Sequence, residues 1–140
     1  MGTGVLRVAP VSNAPQPDLQ GVRAYAHCAP ASLGGTTALL MNLDPSAPAQ
    51  VSLGQFGGDS TSRMEWHLTG PNGTSAAAVA LNGKALEYTV DSQSGEALLP
   101  PLGGRAVARS PAQGDVVLLS PASIAFVHVS DGAAAALCSQ

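Results

Sequence analysis

Glycine and proline interrupt this chain so often that a long helix has no room to form. Sixteen glycines and 11 prolines are spread over 140 residues, at intervals that suit strands of about four to eight residues joined by turns. Between the interruptions the side chains alternate. In 22–28, Val22, Ala24, Ala26 and Cys28 fall on one face and Arg23, Tyr25 and His27 on the other, the period of a strand with one buried face. Segment 63–69 alternates as cleanly, so Met64, Trp66 and Leu68 are expected to point inward and Arg63, Glu65, His67 and Thr69 outward. Segment 36–43 is almost continuously apolar and reads as a central strand. Further strands are expected at 5–8, 50–53, 116–119 and 123–129. Asn82-Gly83, between 76–81 and 85–90, suits the φ > 0 positions of a type I′ hairpin turn. Segment 98–102 contains Pro100 and Pro101 and can only be an edge or extended piece. The alanine runs at 76–78 and 133–136 are one turn long without amphipathic neighbours, so they remain strand or coil despite alanine's helix propensity. The loops fall at 12–21, 44–48, 54–62 (polar, Gly-rich and the best candidate for disorder) and 70–73. Eight to ten short strands in one domain are most naturally buried as an antiparallel β-sandwich, an all-β fold.

Composition narrows the function. Apolar residues make up 45% of the chain, enough for a core, while charged residues are only 11% and the net charge is −3. The six Lys and Arg are scattered, so the basic stripe of a nucleic-acid binder is missing. No apolar run is long enough to cross a bilayer as a helix. Met1-Gly2-Thr3-Gly4-Val5-Leu6 lacks the apolar block of a signal peptide, and Leu6 stands where a myristoylation motif needs Ser or Thr.

The two cysteines, Cys28 and Cys138, stand near opposite ends. One reading is a single disulfide, which would close a loop of about 110 residues and stabilise the domain by roughly 4–5 kcal/mol. The other is two buried free thiols. The disulfide reading points to an oxidising compartment, as does the N-glycosylation sequon Asn72-Gly73-Thr74 on an expected turn. A cysteine pair of this kind without a signal peptide leads us to expect that the natural N-terminus lies upstream of Met1.

No catalytic or metal-binding constellation emerges. His27, His67 and His128 lie far apart in sequence, with His27 and His67 on outward faces and His128 sharing a face with Ile124 and Phe126. Glycosidase chemistry needs two carboxyl groups about 5–5.5 Å apart for retention, and nothing brings Glu65, Glu87 and Glu96 together; each is expected on a solvated surface. There is no Gly-x-Ser-x-Gly elbow and no phosphate loop at Gly83-Lys84. Trp66 and Tyr25 are a weak candidate for a sugar-stacking pair, although Trp66 alternates in phase with Met64 and Leu68 and reads first as core.

An ordered set of motifs resembles one family. Val22-Arg23-Ala24-Tyr25-Ala26-His27-Cys28-Ala29 is similar to the strand that opens the C-terminal domain of heparanase-like proteins, glycoside hydrolase family 79. Ala38-Leu39-Leu40-Met41-Asn42-Leu43-Asp44, Glu65-Trp66-His67-Leu68-Thr69 and Leu81-Asn82-Gly83-Lys84-Ala85-Leu86 resemble segments of that domain, the second of them its plant members. Leu99-Pro100-Pro101-Leu102, Pro121-Ala122-Ser123-Ile124-Ala125-Phe126-Val127-His128 and Ala136-Leu137-Cys138 follow in the same order. The resemblance implies a barrel-exit segment and linker in 1–21 and a β-sandwich in 22–140, with Cys28 paired to Cys138. It further implies a retaining β-glucuronidase whose two glutamates lie in a (β/α)8 barrel outside this chain. No Asn-Glu pair occurs here, so no catalytic residue carries over, and no cofactor or metal is expected.

The expected partners are that barrel and, through it, a glucuronide-containing polysaccharide or glycoside. The implied location is the secretory pathway, with an extracellular, cell-wall, lysosomal or vacuolar destination and peripheral association with membranes. Without its barrel, such a domain is expected to expose an apolar face and an unpaired edge. The alternatives are a free-standing carbohydrate-binding module and an adhesion-type sandwich with a protein partner.

Overall fold

A computed structural model describes residues 5–6, 21–54, 62–70, 78–108, 115–130 and 138. The described residues form twelve strands: β1 (Val5–Leu6), β2 (Val22–Cys28), β3 (Thr36–Asn42), β4 (Ala49–Ser52), β5 (Ser62–Thr69), β6 (Ala80–Leu81), β7 (Lys84–Ala85), β8 (Thr89–Val90), β9 (Ala97–Leu98), β10 (Arg105–Ala108), β11 (Val116–Leu119) and β12 (Ser123–Val129). No α-helix occurs among them. The protein is all-β, built of antiparallel sheets in a sandwich-like arrangement that does not close into a barrel. The sequon at Asn72 and the alanine runs at 76–77 and 133–136 lie outside the described residues, as do most of the loops at 12–21 and 54–62.

One large sheet dominates, in the order β1-β2-β3-β12-β5-β6-β7. β6 pairs with the end of β5 at Leu68 and Thr69, and β10 pairs with its start at 62–65, so the two share one edge of β5. The centre is the full-length pairing of β12 with β3, Ser123 opposite Asn42 through Val129 opposite Thr36. β-Branched and apolar residues supply both strands, as a twice-flanked strand requires. The Asn82-Gly83 turn forms as expected, with φ of 50° and 80°, between Leu81 and Lys84. Its arms are shorter than the sequence pattern suggests. Leu86 sits where the chain leaves the sheet, and β8 pairs only with β9.

A second, two-stranded sheet of β4 and β11 lies over one face of the large one. Val117 and Leu119 of β11, with Leu53, pack on Ala38 and Leu40 of β3 and on Ala125, Val127 and Val129 of β12; Ala24, Ala49 and Val51 pack around this cluster. Asn42 is buried and hydrogen-bonded through both polar atoms of its side chain. Its Nδ2 donates to the carbonyls of Ala47 (2.8 Å) and Ser120 (3.0 Å), and its Oδ1 accepts from the Asp44 amide (3.1 Å). One buried amide therefore fixes the turn after β3 and the turn before β12, in keeping with the rule that buried polar groups find partners.

Cys28 and Cys138 are bonded, with Cα atoms 5.4 Å apart, which closes off the free-thiol alternative. The bond fits an oxidising compartment. Among the described residues no helix is long and apolar enough to cross a membrane.

Two expectations are corrected. The alternation of β5 is real, but its faces are reversed. Arg63 and Glu65 point toward the small sheet and are buried, whereas Met64, Trp66 and Leu68 stand half-buried on the opposite face. Alternation assigns residues to two faces without saying which one will be covered, and complementary charges can be buried when they neutralise each other. The strand β10 was not anticipated, because Arg105-Ala106-Val107-Ala108 is short and has only one β-branched residue.

The two faces of the small sheet give a direct check. Leu40→Ala, in the core, is expected to cost about 2–5 kcal/mol, whereas Leu118→Ala, at a side chain 64% exposed, should change stability by no more than about 0.5 kcal/mol. Denaturant unfolding measures both.

Candidate functional site

The chemically richest cluster lies where β5 meets the start of β11. Arg63, Glu65 and His67 recur at every second residue of β5 and therefore share one face. Arg63 Nε donates to Glu65 Oε1 (2.6 Å), while its Nη1 is bonded to Asp115 Oδ1 and its Nη2 to the carbonyl of Val116 (2.9 Å). The other Glu65 oxygen accepts from Arg105 Nη2 (3.2 Å) and pairs with His67 Nε2 (2.8 Å). Asp115 holds a left-handed backbone with φ of 47°, and its carbonyl accepts from the Leu53 amide (3.1 Å). The guanidinium thus joins the large sheet to the small one.

Burial by itself would raise the Glu65 carboxyl. The hydrogen bonds from His67 and Arg63, the charge of Arg63 and the bond from Arg105 outweigh it and hold the group down to about 2. Glu65 is therefore an ionised anchor throughout the neutral range, without the raised pKa that a general acid needs. Glu87 and Glu96 are exposed on a separate segment. The expectation of a solvated Glu65 is thus overturned. No set of three His, Cys, Asp or Glu suited to a metal ion occurs among the described residues.

The second feature is the opposite face of the large sheet. Register places Tyr25, Leu39, Phe126 and Trp66 in one row across β2, β3, β12 and β5. Met41, Ile124, Leu68 and Leu81 extend the apolar surface to one side, and His27, Thr37, His128 and Met64 form the row on the other. Tyr25 and Trp66 thus share a face with two strands between them. Tyr25 is 47% exposed. Trp66 is half-buried: its Nε1 donates to the carbonyl of Leu102 (3.0 Å), and Gly104 approaches so closely that a Cβ there would meet the indole at 2.6 Å. The indole is thus packed against Gly104 and its N–H is already used.

At the disulfide end of this face is a cavity of about 240 Å³. Leu39, Phe126 and Trp66 line it, with Thr37, His27 and His128, under the turn carrying Pro30 and Leu33. Thr37 Oγ1 lies 3.3 Å from His128 Nδ1. Burial depresses the pKa of His128, only partly opposed by its hydrogen bond with the Thr36 backbone. The three histidines do not converge: His27 and His128 line the cavity, and His67 lies on the other face against Glu65. The expected face-sharing of His128 with Phe126 is observed.

No protein-family model matches the chain, and a search of curated proteins finds no match.

Asp115 and Arg105 were not anticipated as partners of β5, because they lie 52 and 40 residues from the groups they contact. The one local signal was the Arg63-Glu65-His67 triplet itself, three ionisable groups of complementary sign on a single strand face.

Glu65→Ala, which leaves Arg63 buried with one carboxylate fewer, is expected to cost about 3–5 kcal/mol. Stability should also depend on pH in two windows. Both groups have folded pKa values below their ordinary ones, so each stabilises the fold above its ordinary pKa and loses that contribution as pH falls. His128 acts first, downward from 6.5, and Glu65 follows, from 4.5 toward about 2. Urea titrations across this range should show both losses, the first missing in His128→Gln and the second in Glu65→Gln.

Proposed function

We propose that this chain is a non-catalytic β-sandwich that supports the catalytic barrel of a heparanase-like β-glucuronidase. The observation that carries the reading is the condition of Glu65. It is the most deeply buried carboxylate among the described residues, yet it is held ionised between Arg63, His67 and Arg105 and so neutralises the guanidinium that joins the two sheets. A retaining glycosidase needs one carboxyl that gives up a proton and a second that attacks. In this reading both come from the barrel.

The motif order from Val22 to Cys138 and the bond between Cys28 and Cys138 support the same assignment. The disulfide closes the sandwich upon itself and suits a secreted accessory domain. Its substrate-side role is indirect: it holds the barrel in shape, and a glucuronide-containing polysaccharide or glycoside reaches the barrel, not the sandwich.

The test has two parts. Incubated alone with an aryl β-glucuronide, the chain should release no product, and co-expression with a family 79 barrel stripped of its own sandwich should give a co-purifying, active complex. Turnover by the chain alone that disappears in Glu65→Gln or Glu87→Gln would sink the proposal, as would a barrel that neither binds the chain nor gains activity from it.

A further inference from the structure

We propose that Asn82 is a conformationally gated deamidation site. Its amide persists while the fold holds the side chain and is lost, irreversibly, when the turn at Asn82-Gly83 opens. The inference goes beyond the accessory-domain reading and does not rest on it.

Asparagine followed by glycine is prone to this reaction because glycine has no side chain to shield its nitrogen. The Gly83 nitrogen gives up its proton to base and attacks Asn82 Cγ. A C–N bond forms, and Nδ2 takes up a proton and leaves as ammonia. Water then opens the cyclic imide at either carbonyl, which leaves aspartate or isoaspartate at position 82. Solvent supplies the only co-reactant. Asn42, by contrast, is followed by the bulky Leu43. Gly83 is exposed, and a Cβ built on it would meet nothing within 4 Å. Water and base therefore reach its peptide nitrogen, and what restrains the reaction is the hold on Asn82.

That hold is unusually complete for a turn residue. Asn82 Oδ1 accepts from the His67 amide (2.9 Å), and Nδ2 donates to the carbonyls of Glu65 (3.2 Å) and Gly103 (3.4 Å). The Asn82 amide donates in turn to the His67 carbonyl (2.8 Å). Both ends of the side-chain amide are thus bonded to backbone outside the turn. Cyclisation requires Cγ to swing onto the Gly83 nitrogen and Nδ2 to depart, which breaks these bonds first. The gate extends one residue further. Leu102, next to Gly103, accepts from Trp66 Nε1 (3.0 Å), so the indole steadies the outermost partner of Asn82.

The products cannot close the gate again. A carboxylate at position 82 has no proton to donate at neutral pH, so the carbonyls of Glu65 and Gly103 lose their donor and face negative oxygen instead. Isoaspartate also lengthens the backbone of a two-residue turn whose φ values are 50° and 80°, which disturbs the register that such a turn sets. Either product frees the Gly103 end of the 86–103 segment from β5. Position 82 therefore records how long the turn has spent open.

Peptide mapping by mass spectrometry on the whole chain, made without glycosylation and held at mildly alkaline pH, gives the rate of amide loss at position 82. In the folded chain it should be slower than in the chain denatured in urea by about 30-fold or more, since three hydrogen bonds of modest net strength must open together. In urea, Asn82 should react at about the rate of Asn72, the other Asn-Gly pair, which serves as the internal clock. Hydrogen exchange of the His67 amide reports release of the side chain directly, because Asn82 Oδ1 is its acceptor. Trp66→Phe, which removes the bond to Leu102, should raise that exchange and the folded-state loss at position 82 by the same factor. Urea below the unfolding transition gives the same comparison on the wild-type chain. Asn82→Asp, which reproduces one product, should show faster His67 exchange and a lower urea midpoint. Equal rates in the folded and denatured chains overturn the proposal, as does a denatured chain that loses the amide at Asn72 and keeps it at Asn82. Faster His67 exchange with no faster loss at position 82 overturns it too.

Discussion

The Arg63 guanidinium is the joint on which the two layers depend. It reaches from β5 of the large sheet to Asp115 and Val116 at the start of β11, while Glu65 neutralises it from its own strand. A two-stranded sheet is marginal by itself, and β4–β11 has only four residues per strand. Its apolar contacts with β3 and β12 supply the adhesion, and the ion pairs set its position. A buried pair is not strong because it is charged, since desolvation offsets most of the attraction. What it provides is register: the small sheet cannot slide along the large one without leaving a guanidinium or a carboxylate buried alone.

The same arrangement explains why the carboxylates of this chain do structural work. Glu65 has each oxygen occupied, so its proton stays off down to strongly acidic pH. Asp44 and Asp91 are used in the same spirit at turns, where backbone amides of the following residues hold their carboxyls low. Charged residues are scarce here; Asp44 and Asp91 fix turns, and Arg63, Glu65 and Asp115 fix the joint between the sheets.

Much of the fold was legible in the sequence. The strands Val22–Cys28, Val116–Leu119 and Ser123–Val129 occur where alternation and β-branched runs put them, and the Asn82-Gly83 turn follows from the two positive φ values it needs. The cysteine pair was visible as a candidate and closes as a bond. The faces of β5 were not legible. Trp66 with Met64 and Leu68 is the more apolar set, and hydrophobicity alone sends it inward, yet Gly104 and Leu102 cover it only in part. The candidate site was legible only as the Arg63-Glu65-His67 triplet, because Arg105 and Asp115 lie 40 and 52 residues from the groups they contact.

The sequence by itself determined an all-β chain of short antiparallel strands, since frequent Gly and Pro forbid long helices and period-two alternation leaves no other regular structure. It also determined that 22–28 and 63–69 would each have one apolar face and one more polar face. Tertiary structure alone decided which face was covered. That choice follows from where the β4–β11 sheet could satisfy both its apolar side chains and Arg63 at once, a condition set by groups far apart in the chain and invisible to any local pattern.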